Sequence, residues 1–233
     1  MTTHTKKRYE RVFFTGIAIA SAAVVFVGFA RTYYLKEYFG TPHLSALLHL
    51  HGLIFTSWVA LFLTQSLLVA TNRTNVHRRL GMIGAFIAIL LVILGLLTAL
   101  IRTKQRYELT GDKTRLSFLA IPLGDMLLFA CFVGAGFYYR RRTDVHKRLM
   151  LFATIMILDA AFARILKAGS TAFFGATDLF IVGCLTYDLI TRKRIHQVTL
   201  WCGLVVIASQ MLRIMIGRTQ AWIDFSLWLV QWF

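Results

Sequence analysis

The sequence predicts an all-α fold: a polytopic membrane helical bundle of about seven transmembrane helices, with an internal hairpin repeat and a C-terminal interfacial helix. Three observations predict it. Of 233 residues, 58% are hydrophobic and only 15% are charged, against about a quarter charged in soluble domains. Seven apolar stretches approach or exceed the ~20 residues that cross about 30 Å of hydrocarbon; they cover 12–30, 44–70, 80–101, 117–139, 148–168, 170–191 and 196–216. Finally, the polar heptad Thr74-Asn75-Val76-His77-Arg78-Arg79-Leu80 returns as Thr143-Asp144-Val145-His146-Lys147-Arg148-Leu149, identical at five of seven positions. Apolar flanks repeat by default because Leu, Ile, Ala and Phe interchange; a polar heptad does not. The stretches are helices because lipid admits only helices and closed barrels, and barrel strands would be short and alternating.

The elements follow in chain order. Lys6, Lys7, Arg8 and Arg11 precede the first apolar run, which is longer than the 7–15 residues of a cleaved signal's core and reads as a retained anchor. The second and third spans meet at the first heptad, the fourth and fifth at the second, so the repeat consists of hairpins at about 44–101 and 117–168. A third, weaker match, Ile195-His196, opens the last span. The chain 1–233 reads as one integral membrane domain with no linker or low-complexity tract. In the tail, Trp222, Phe225, Leu229 and Trp232 fall at helical spacing on a segment too short to span, as expected of a helix lying in the interface.

With the N-terminus inside, fifteen of the 26 cations fall on inner segments: the four at the start, Arg73, Arg78, Arg79, Arg140, Arg141, Arg142, Lys147, Arg148, Arg192, Lys193 and Arg194. That bias places the N-terminus in the cytoplasm and the C-terminus on the periplasmic side. One segment dissents: Arg102 to Arg115 holds five cations and lies outside. The net charge of +16 does not indicate nucleic-acid binding, because the cations cluster at the ends of apolar segments, where they set topology and meet lipid phosphates. Cys131, Cys184 and Cys202 sit in apolar segments without a CxxC, as small buried hydrophobes would.

Ionisable residues within spans cost about 2.5–3.5 kcal/mol each to insert and so mark a site. Here His51, Asp125, Asp159, Arg164, Asp178 and Arg213 all map to the outer half of the membrane. His49 and His51 lie about 200° apart around a helix, so at most one of them faces the group, and Gly52, which lets a neighbour come close, favours His51. Three readings stay open. The group is a structural network in which each charge has a partner, a pocket for a small polar ligand, ion or lipid headgroup, or a metal site of oxygen and nitrogen donors. At the inner surface, His77, His146 and His196 share one depth; they are helix-start hydrogen-bonding residues, groups titrating near neutral pH, or ligands to haem or a metal. Two transmembrane haems would need histidines at both depths on paired spans, which the outer half lacks. Nor does the seventh span hold a lysine for a retinal Schiff base, and no Walker A, GxSxG or HExxH occurs. No catalytic residue is assigned, and a non-enzymatic role is expected. Proton-coupled transport fits the aspartates, but the sequence shows no clear pair of broken helices.

The stretches His49-x-His51-Gly52…Gln65, His77-Arg78-Arg79-Leu80-Gly81 and His146-Lys147-Arg148-Leu149-Met150…Arg164 resemble uncharacterised bacterial multi-pass membrane families. Those families carry a span-two histidine, an HRxLG turn, and an HxRxM turn followed by an intramembrane arginine. The resemblance covers about residues 44–168. It implies architecture, and it implies no reaction because none is established for those families. A more distant likeness, to small helical proteins that assist haem–copper oxidase assembly, implies a redox role as the alternative. The expectation is therefore a bacterial inner-membrane protein with the bilayer as its first partner and a small ligand or ion in the outer-half group.

Overall fold

A computed structural model describes residues 3–233, with side chains from Lys7 onward, so the Lys6 side chain falls outside it. The chain forms α1 (Thr3–Phe29), a π-helical turn (Ala30–Tyr34), α2 (Ala46–Ala70), α3 (Thr74–Thr110), α4 (Thr114–Phe118) and α5 (Ala120–Tyr138). It continues as α6 (Thr143–Met156), α7 (Asp159–Leu166), α8 (Ser170–Arg192), α9 (Gln197–Gly217) and α10 (Gln220–Val230). No strand occurs among the described residues. Seven helical stretches are long and apolar enough to cross a membrane, α4–α5 and α6–α7 each counting as one.

Two boundaries differ from expectation. Both polar heptads are the opening turns of helices, α3 and α6, and the connections are the short segments before them. Neither helix start carries a side-chain cap bond; lying outside the apolar run, these first turns leave their free N–H groups to water. At its other end α3 runs on to Thr110, because Arg102, Lys104, Gln105, Arg106 and Glu108 are strong helix formers. It stops at Gly111, whose φ of 65° few other residues adopt readily. At 37 residues the helix is about 55 Å long and overhangs a ~30 Å hydrocarbon layer.

Two spans are interrupted. Pro122 lacks an N–H and its ring crowds the carbonyl four residues earlier, that of Phe118, where α4 ends. The fifth span breaks at Ile157–Leu158, where tight turns (Ile157 N to Thr154 O, 3.3 Å; Leu158 N to Ile155 O, 3.0 Å) replace α-helical bonds. No Pro or Gly lies there to announce it. Asp159 is the first residue of the resumed helix.

α5 and α6 form the centre, packed on each other and both on α9, with α3 against α5 and α1 against α2 and α7. The core joins Trp58 of α2, Leu91 of α3, Phe129 and Phe132 of α5, Phe152 of α6, Ile181 of α8 and Val206 of α9. Within it, the Trp58 indole donates to Thr154 Oγ1 at 3.2 Å, so the one polar edge of a large apolar ring is satisfied. Outward-facing Met82, Phe86, Ile89, Leu179, Trp201 and Met215 are exposed, as lipid-facing residues should be. α10 folds back on α3 and α4 through Ile223, Leu227, Leu229 and Val230. Its Trp222 indole donates to the Leu116 carbonyl (3.1 Å), while Phe225, Trp228 and Trp232 stay exposed. Leu229 thus belongs to the packed side rather than to the aromatic face.

α1 and α7 approach each other closely. A Cβ on Gly28 would lie 2.7–2.8 Å from the O, Cα and Cβ of Ala161, backbone that cannot swing aside. Gly28→Val is therefore expected to force the helices apart and cost about 1–3 kcal/mol or more. Thermal unfolding in detergent checks this, with Gly134→Val, at an open position, as the control.

Candidate functional site

Three polar centres are built into the bundle. The first sits where α5, α7, α8 and α9 converge. Asp125 pairs with Arg213 Nη1, which also donates to the Ile121 carbonyl at 3.2 Å, while Nε donates to Ser209 O at 3.2 Å. The guanidinium lies 5.0 Å from the centre of the Phe174 ring. The stem of Arg213 runs over Gly124, where a Cβ would collide with Cδ; the glycine is the groove through which the arginine reaches Asp125. Asp159 is buried beside this pair and near Asp178, with Oδ1 accepting from Thr177 Oγ1. Asp178 accepts from Gln210 Nε2 at 3.0 Å. Four buried polar atoms here lack a partner: Asp159 Oδ2, Gln210 Oε1, Arg213 Nη2 and Ser209 Oγ.

Of the six residues predicted to gather, Asp125, Asp159, Asp178 and Arg213 do so; His51 and Arg164 do not. Arg164 lies five residues after Asp159, about 500° around the helix and hence roughly 140° away from it. It bonds back to Ala160 O (2.6 Å) and covers the Phe29 ring at 4.2 Å. His51 stacks on Phe55 at 4.1 Å between ring centres, and no hydrogen bond or ion pair links it to the carboxylates among the described residues. Gly52 does admit a close neighbour, the Tyr33 ring of the π-helical turn.

A second centre escaped prediction. Arg148, counted above as an inner-surface cation, is buried, and so is Asp188. The two form an ion pair. Arg148 Nε donates to Thr199 Oγ1 at 3.0 Å and Nη1 to Asp144 O at 3.0 Å; Asp188 Oδ2 accepts from Thr199 Oγ1 at 2.6 Å and from the His196 backbone N–H at 3.2 Å. Every donor and acceptor named is used, the arrangement of a structural clamp joining α6, α8 and α9. The signal was in the sequence: Asp188 ends an apolar span and needs a cation, and Arg148 is within reach only if the heptad is helical. Arg79, the matching residue of the other heptad, is exposed.

The third centre is the histidines. His77 and His146 face each other with ring centres 6.3 Å apart and planes at 86°. His196 does not join them. Its Nδ1 accepts from Val198 N (3.1 Å) and its Nε2 lies 3.1 Å from Asp144 Oδ2. Burial, opposed by Asp144, draws the His196 ring below its ordinary imidazole value. With both nitrogens engaged it is a helix-capping residue and not a ligand. Cys131 is exposed on α5, and only Cys184 and Cys202 are buried as expected.

No protein-family model, no curated protein and no solved structure matches the chain.

Proposed function

We propose that the chain is a bacterial inner-membrane protein that binds a small cation or protons at the Asp125–Asp159–Asp178 centre. The reading rests on a charge imbalance. The one guanidinium pairs with Asp125 in a centre that also holds Asp159 and, through Gln210, Asp178, while Arg164, the second cation that would balance them, lies elsewhere. Like charges packed into a low-dielectric region do not all persist uncompensated. The unpartnered Asp159 Oδ2 and Gln210 Oε1 supply acceptors for the compensating ion and Arg213 Nη2 a donor for its water or counter-ligand. The interrupted spans strengthen the reading, since broken helices place free backbone ends beside intramembrane ion sites. In this reading the N-terminus is cytoplasmic, the site lies in the periplasmic half, and the two heptads mark duplicated hairpins.

Binding to the folded state alone stabilises it, by about 2.7 kcal/mol at a hundredfold excess over Kd. The purified protein is therefore expected to melt higher when Na+, K+, Li+, Ca2+ or acid is supplied in turn, at least one being effective. Asp159→Asn should lose that response while still folding, because Asn keeps the Thr177 bond. A response identical in wild type and variant, or none to any of these, sinks the proposal and leaves a structural network.

A further inference from the structure

The His77–His146 pair lies at the opposite end of the bundle from the carboxylates and is independent of them. Each histidine opens a helix, His77 in α3 and His146 in α6, and each belongs to one copy of the repeated heptad. The local bonds assign their nitrogens. His146 Nδ1 lies 2.8 Å from the Gly136 carbonyl, which can only accept, so Nδ1 carries the proton and Nε2 presents its lone pair. This is the arrangement by which metal-binding histidines are usually oriented. His77 Nδ1 is buried and has no partner, and neither has the neighbouring Gln65 Oε1, although Gln65 Nε2 donates to the His77 carbonyl at 3.1 Å.

The separation of the ring centres admits two imidazoles on one ion. A metal–nitrogen bond of about 2.0–2.1 Å, plus roughly 1.1 Å from nitrogen to ring centre, puts each ring about 3.2 Å from the metal. Rings on opposite sides of the ion are then about 6.3 Å apart, and rings at a tetrahedral angle only about 5.1 Å. The observed 6.3 Å matches the opposed arrangement.

We propose that His146 Nε2 and His77 Nδ1 form a linear, two-coordinate site for cuprous copper. A filled-shell monocation accepts two nitrogens in line, whereas structural zinc requires four donors, and no group of three His, Cys, Asp or Glu able to hold a metal occurs among the described residues. Charge points the same way. Arg78 acts on His77 electrostatically, and a monocation meets half the repulsion that a dication does. Met150, one turn beyond His146 and packed with its methyl on Gly136, offers a soft thioether at the rim.

The test is an anaerobic titration of the full chain in detergent with Cu(I) against a chromogenic chelator. One equivalent is expected to bind. His77→Gln and His146→Gln should each weaken it at least about tenfold, with melting temperatures measured to separate ligand loss from misfolding. His196→Gln should bind like wild type. X-ray absorption should show the edge feature of two-coordinate Cu(I). No bound equivalent, binding that survives loss of both histidines in folded protein, or an equal dependence on them for Zn(II) or haem instead overturns the assignment.

Discussion

Arg148→Met is expected to be the most damaging single change in the chain. It removes a buried cation and leaves Asp188, itself fully buried, holding a charge with only Thr199 and one backbone N–H for company. Breaking a buried pair on one side costs about 3–5 kcal/mol, a large part of a typical total stability. The loss also releases Thr199 on α9 and the Asp144 carbonyl on α6, so three helices lose one joint. Arg148→Met combined with Asp188→Leu should recover most of the stability, because removing both charges is far less costly than removing one. The measurement is the unfolding midpoint of the two singles and the double in one detergent. A single variant within about 0.5 kcal/mol of wild type, the range of a surface substitution, would show that the pair does not clamp the helices.

Arg213→Met comes second, and it separates stability from binding. It strips the carboxylate centre of its one cation, so the expected cost is again about 3–5 kcal/mol. Here the loss should be recoverable in two ways. Arg213→Met with Asp125→Asn restores neutrality by mutation, and saturating cation or acid restores it by occupancy. The second rescue has no counterpart at Arg148, whose network is complete. If salt of every type leaves the Arg213→Met midpoint in place while Asp125→Asn rescues it, the centre is structural.

Much of the fold was legible because membrane insertion is read from local sums. A run of about twenty apolar residues reports a span whatever packs against it, and all seven spans appear. The overhang of α3 was legible in principle, since residues 102–110 are good helix formers; hydropathy alone masked it. Pro122 is a local cause of the α4–α5 break, but nothing local foretells the one before Asp159. The site was half legible. Counting ionisable residues by depth found Asp125, Asp159, Asp178 and Arg213, but depth carries no azimuth, and Arg164 points away by simple helical rotation. His51 failed for a related reason: its partner is the aromatic one turn along its own helix. Arg148 and Arg79 occupy equivalent heptad positions, yet one is buried and one exposed. Only the long-range partner Asp188 distinguishes them, and a local motif cannot show it.

The α3 overhang bears on rates. Arg102, Lys104 and Arg106 lie in the last turns of α3, with Arg164 near Arg106, while Arg115, across Gly111 in α4, is paired with Asp112. A cation approaching the carboxylate centre from this end crosses a positive field before reaching a negative one. Fields of this kind change association rates by factors of about 10 to 1,000, and salt near 0.1 M shortens their reach to about 10 Å. If the centre takes up cations as proposed, occupancy should be gained faster as inert salt is added, the opposite of ordinary electrostatic steering: the overhang would then act as a kinetic gate, governing how often an ion arrives rather than how tightly it is held.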